Sequence, residues 1–101
     1  MPDYTITELD ISKQGLTQLP DDIAKYTKLK KLICVSNQLT SLDYLPITLK
    51  ELYCGDNKLT SLDNLPPNLE ILHCYSNPLI YTFVPTLENI RNYNNSKTQS
   101  S

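Results

Sequence analysis

The chain has little of what a varied globular core is built from. Among its 101 residues there are two glycines, one phenylalanine and no tryptophan. No apolar run approaches the ~20 residues a helix needs to cross a bilayer. The first residues, Met1-Pro2-Asp3-Tyr4-Thr5, show neither the cationic nor the apolar stretch of a secretory leader. The expectation is therefore an intracellular, cytoplasmic protein with no membrane partner, in which the sequon Asn94-Asn95-Ser96 goes unused. Neither sign of charge dominates: 9 Lys and Arg stand against 11 Asp and Glu, for a net charge of −2. With the two signs interspersed there is no general electrostatic case for DNA, RNA or an anionic membrane, so no nucleic-acid partner is expected. The three cysteines are odd in number and occupy equivalent positions of a repeat, which argues for a reducing compartment. The length suits one domain.

What the chain does have is leucine, seventeen residues of it, placed with a period. Leu29, Leu32, Cys34, Asn37 and Leu39 recur as Leu49, Leu52, Cys54, Asn57 and Leu59, and again as Leu69, Leu72, Cys74, Asn77 and Leu79. A fixed period near twenty residues is the signature of a solenoid, in which each repeat is one supersecondary unit stacked on the last. An earlier copy runs from Ile6 through Leu9, Ile11, Gln14 and Leu16, with extra length at Asp21 to Thr27. An Asp after Pro20 suits a helix N-cap, and acids suit the first turn, so one or two helical turns are expected there. The middle repeats lack room for a helix, and their Leu45-Pro46 and Leu65-Pro66 pairs predict extended or 3-10 turns. After Leu79 the pattern loosens, then Leu87, Ile90, Asn92 and Asn95 align as a cut-off copy, with Asn92 in the cysteine slot. Strands are expected at about Thr7–Ser12, Lys30–Val35, Lys50–Gly55, Glu70–Tyr75 and Asn89–Tyr93.

The spacing LxxLxLxxNxL, with Cys in the third apolar slot, resembles the leucine-rich repeat family. The twenty-residue unit with Leu-Pro is similar to the short repeats of bacterial effector proteins. The Cys slot followed by NQLTSL and NKLTSL looks more like leucine-rich repeat proteins encoded by giant DNA viruses of the mimivirus type. The resemblance covers about residues 6–95. It implies an α/β-type leucine-rich repeat solenoid: a short curved arc of about five parallel strands on the concave side, with one short helix and otherwise extended or 3-10 turns on the convex side. The expected domain covers residues 1–95, with repeats at about 6–28, 29–48, 49–68 and 69–86, a truncated one at 87–95, and a disordered tail at 96–101. The family mediates protein–protein contacts; it brings no active site to these positions and no cofactor, so no enzyme is expected. The ubiquitin-ligase domain that several bacterial members append is expected to be missing. If the chain is viral, its setting is the host cytoplasm.

Alternation along each strand separates scaffold from free face. Leucines and cysteines point inward, and Asn37, Asn57 and Asn77 are expected to tie turn backbone between adjacent repeats. The neighbours between them form columns on the concave side, giving an apolar and aromatic stripe of Ile33, Val35, Tyr53, Ile71, Tyr75 and Tyr93, with His73 and Arg91 in the central column. Such residues anchor protein interfaces, so this stripe is the candidate protein-binding face. The alternative is that β-branched and aromatic residues there only stabilise the sheet by pairing across strands. A second class of function, a thiol-based metal or redox site, would use the Cys34, Cys54 and Cys74 ladder. In-register thiols point the same way and do not make a tetrahedron, so small apolar packing is the plainer account of them. Thinly covered ends also predict a homodimer, through an end or through the tyrosine-rich face.

Overall fold

The computed structural model describes residues 2–99, with side chains through residue 96. Four short parallel strands form one sheet in sequence order: β1 (Glu8–Asp10), β2 (Lys31–Ile33), β3 (Glu51–Tyr53) and β4 (Ile71–His73). Leu9, Leu32, Leu52 and Leu72 are register partners from strand to strand, so each copy of the sequence repeat supplies one strand at the same position. A left-handed residue stands three places beyond the end of each strand. Lys13, Ser36, Asp56 and Ser76 occupy the same place in successive repeats, with φ of 59, 57, 55 and 55°. That conformation turns the chain out of the sheet.

Behind the sheet the inward residues stack. Leu29, Leu32, Leu39, Leu49, Leu52 and Leu59 are wholly buried, as are Cys34 and Cys54. The return segments carry no helix in the two middle repeats; instead the amides of Leu49 and Leu69 donate to the carbonyls of Pro46 and Pro66 at 3.2 and 3.3 Å. In the longer first repeat the expected helical turns shrink to a 3-10 turn at Ile23–Lys25. Asp22 starts it without a side-chain cap. Its carboxylate instead accepts the Tyr4 hydroxyl at 2.8 Å, and the Tyr4 ring meets Tyr26 edge-on at 5.0 Å. The amino-terminal segment is thereby tied to the turn.

The carboxyl-terminal part departs from expectation. The stretch expected as a fifth strand, Asn89–Tyr93, lies inside a helix, α1 (Leu87–Gln99), so the sheet has four strands and not five. The helix continues through residues 96–99 of the stretch expected as a disordered tail; Ser100 and Ser101 lie outside the described residues. Physical causes for the helix are close at hand. The Thr86 hydroxyl accepts the Asn89 amide at 3.1 Å as an N-cap. Ile90 is wholly buried. Arg91 donates to the carbonyls of Pro66 and Pro67 at 2.9 and 3.2 Å, and Asn94 to those of Leu62 and Asp63 at 2.9 and 3.3 Å. Among the described residues no helix is long and apolar enough to cross a membrane.

Candidate functional site

The face of the sheet opposite the leucines carries three columns. Glu8, Lys31, Glu51 and Ile71 are register partners, and so are Asp10, Ile33, Tyr53 and His73. Beyond the strand ends follow Ser12, Val35, Gly55 and Tyr75, whose backbone continues the pairing: Lys13 donates to Val35, Ser36 to Gly55 and Asp56 to Tyr75, at 3.0–3.1 Å. The structure thus brings Ile33, Val35, Tyr53, Ile71, His73 and Tyr75 together on one surface.

Arg91 and Tyr93 do not join them. Both ride on α1. Arg91 is spent on the Pro66 and Pro67 carbonyls, and the Tyr93 ring packs against Tyr81 and Phe83 at 5.4 and 5.6 Å. Their expected place on the strand face goes with the fifth strand.

Within the face, two halves differ. The amino-terminal half is laced to itself. Lys31 Nζ lies 3.8 Å from the Glu8 carboxylate and 5.5 Å from the centre of the Tyr53 ring. The Tyr53 hydroxyl donates to Glu51 Oε1 at 2.6 Å, and its ring meets His73 edge-on at 4.9 Å. That hydrogen bond to a carboxylate raises the phenol above its ordinary pKa. Tyr53 is therefore held from three sides. The carboxyl-terminal half is open. Ile71 is 39% exposed and Tyr75 62% exposed. Tyr75 lies across Gly55 so closely that a Cβ there would stand 2.7–2.9 Å from its ring carbons. Only a residue without a side chain lets the ring rest on the backbone at that point.

On the inner side the three cysteines are unpaired and buried. Burial pushes the Cys34 thiol up to about 12, and it pushes Cys54 and Cys74 up as well. A thiol held protonated is a poor nucleophile and a poor metal ligand. Asn37, Asn57 and Asn77 each join two repeats. Asn57, for example, accepts the Leu39 amide at 3.0 Å and donates to the carbonyls of Cys34, Cys54 and Gly55 at 3.0–3.1 Å.

Sequence reasoning overlooked a second exposed group, Tyr44 and Ile47, 81 and 73% exposed on the return segment of the second repeat. The signal was present. If Leu45 and Pro46 turn toward the core, the residues on either side are left outside. Comparison with known proteins found no matching family model, no matching curated protein and no matching solved structure.

Proposed function

We propose that the chain is a short leucine-rich repeat solenoid acting without catalysis, as a module that holds a partner protein on its strand face. The observation that carries this is the open half of that face, where Ile71, His73 and Tyr75 all stand exposed on or just beyond one strand. Aromatic and β-branched side chains in such a cluster offer large contact area at low entropic cost. Tyr53, braced by Glu51, Lys31 and His73, gives the cluster a rigid neighbour. The setting we propose is a reducing cytoplasm, a host's if the chain is viral; three buried free thiols suit it. A thiol-based metal or redox site on Cys34, Cys54 and Cys74 is the weaker reading, because burial holds those thiols protonated.

The test compares three proteins as bait in the same lysate: the native chain, Tyr75→Ser, and Ile47→Ser as a control on the return segment. A partner of the strand face is retained by the native chain and by Ile47→Ser, and lost with Tyr75→Ser. A partner kept by Tyr75→Ser and lost with Ile47→Ser would move the binding surface to the other side of the molecule.

A further inference from the structure

A four-stranded parallel sheet in sequence order has two open edges, β1 and β4. Their chemistry differs. The β1 edge reads Glu8-Leu9-Asp10, with a charge on either side of its central residue. Charged edges discourage strand addition from outside. The β4 edge reads Ile71-Leu72-His73 and has neither acid, lysine nor proline.

The backbone of β4 is also unfinished. Toward β4, the preceding repeat offers the Lys50 carbonyl and the Cys54 amide, which bond Glu70, Ile71 and His73. By the same repeat geometry, the carbonyl of Glu70, both polar groups of Leu72 and the amide of Cys74 point away from β3, where no strand follows among the described residues. Leu72 itself is half-buried, while Leu32 and Leu52 in the same ladder are wholly buried. The helix α1 anchors on the return segment at Leu62 to Pro67, and the stretch leading into it meets the end of β4 through the Cys74 thiol, which donates to the Pro85 carbonyl at 3.6 Å.

We infer that two copies of this chain join through their β4 edges, antiparallel, about a twofold axis at Leu72. The outward groups are symmetric about that residue. Leu72 of each copy exchanges its amide and carbonyl with Leu72 of the other, and the Cys74 amide of each donates to the Glu70 carbonyl of the other. Only that axis pairs all four outward groups with one another: an axis at Ile71 would leave the Leu72 carbonyl and the Cys74 amide without such partners, and one at His73 would leave the Glu70 carbonyl without one. Antiparallel pairing about such an axis keeps both strand faces on the same side, so one continuous sheet results. Each Leu72 gains the apolar neighbour its ladder lacks at that end, and Ile71 of one copy comes beside His73 of the other. Assembly stops at two, because the β1 edges left outside are the charged ones. The inference stands independently of which protein the strand face holds.

Sedimentation of the full chain over a concentration series tests it. The native chain is expected to dimerise with concentration. Ile71→Lys, which adds a charge to the edge, is expected to weaken the dimer by roughly tenfold or more with the urea midpoint little changed. Glu8→Gln, on the other edge, is expected to leave it alone. Register is read by cross-linking. In the proposed pairing Ile71 and the second copy's His73 form a non-hydrogen-bonded pair with Cα atoms about 4.5 Å apart, within disulfide range. Mild oxidation should therefore link Ile71→Cys to His73→Cys when the two variants are mixed, and link neither to itself. A chain that stays monomeric throughout overturns the inference and leaves the edge to an extended segment of another protein. A dimer indifferent to Ile71→Lys, or Ile71→Cys linking to itself, overturns it equally.

Discussion

Replacing Asn57 by alanine isolates what one buried amide contributes between two repeats. The three carbonyls that receive its Nδ2 each keep another donor: Cys34 has Asn37 at 3.2 Å, Cys54 has Asn77 at 3.0 Å, and Gly55 has the Ser36 amide at 3.0 Å. The Leu39 amide has no such reserve, since Asn57 Oδ1 is its acceptor and Leu39 is wholly buried. One orphaned buried N–H, together with three weakened carbonyls and a small void, predicts a loss of about 2–4 kcal/mol. Against a small domain's total of about 5–15 kcal/mol that is a large share. Urea unfolding followed by circular dichroism should show the midpoint falling by about 1–2 M at unchanged slope. The isosteric Asn57→Asp separates donor from acceptor. It keeps an oxygen for Leu39 but turns the other oxygen toward three carbonyls. At neutral pH it should cost more than alanine, and the excess should shrink in acid as the new carboxyl takes up a proton. An alanine variant within about 1 kcal/mol of native, or an aspartate variant no worse than alanine at neutral pH, would refute the reasoning.

Three further outcomes follow from the inner ladder and the turns. The Cys34 thiol is raised to about 12 from an ordinary value of 9.0, so the folded state holds its proton longer than the unfolded chain does. Its stabilising contribution is complete below pH 9.0 and is lost as pH climbs toward about 12. Urea midpoints measured across that range should therefore fall, and Cys34 and Cys54 should react with a thiol reagent near neutral pH only as fast as the protein unfolds; rapid labelling of folded protein would contradict their burial. Lys13, at φ 59°, adopts a backbone region costly to a branched-free but Cβ-bearing side chain. Lys13→Gly should raise stability by about 0.5–1 kcal/mol in the same denaturation assay, the relief of strain exceeding the added chain entropy; a destabilised variant would show that this turn depends on the lysine itself.

The inner scaffold was legible because each ladder position answers to one requirement only. An inward slot wants a leucine or a small apolar residue, and a turn whose backbone no strand reaches wants an amide, so Leu32, Cys34 and Asn37 name their places directly. The carboxyl-terminal stretch was not, because its pattern serves two structures. Leu87 and Ile90 lie three apart, which suits both the repeat and one face of a helix, and Thr86 reads as an N-cap only if a helix is already assumed. Arg91 and Tyr93 were misplaced for that reason alone. The strand face was legible as columns but not as contacts. Lys31 and Glu51 sit in the column beside Tyr53, and nothing in spacing says that one will lie near its ring and the other take its hydroxyl.

The asparagines also give the molecule a direction. Asn37 serves Gln14, Leu16 and Ile11 in the repeat before it, and Asn57 and Asn77 likewise reach back to Leu39 and Leu59. Each of the first three repeats thus depends for its turn on the one that follows, while its own asparagine depends on nothing later. Trimming from the amino terminus removes only clients of this chain of support. Trimming from the carboxyl terminus removes its suppliers, so that erosion at that end is handed backward from repeat to repeat.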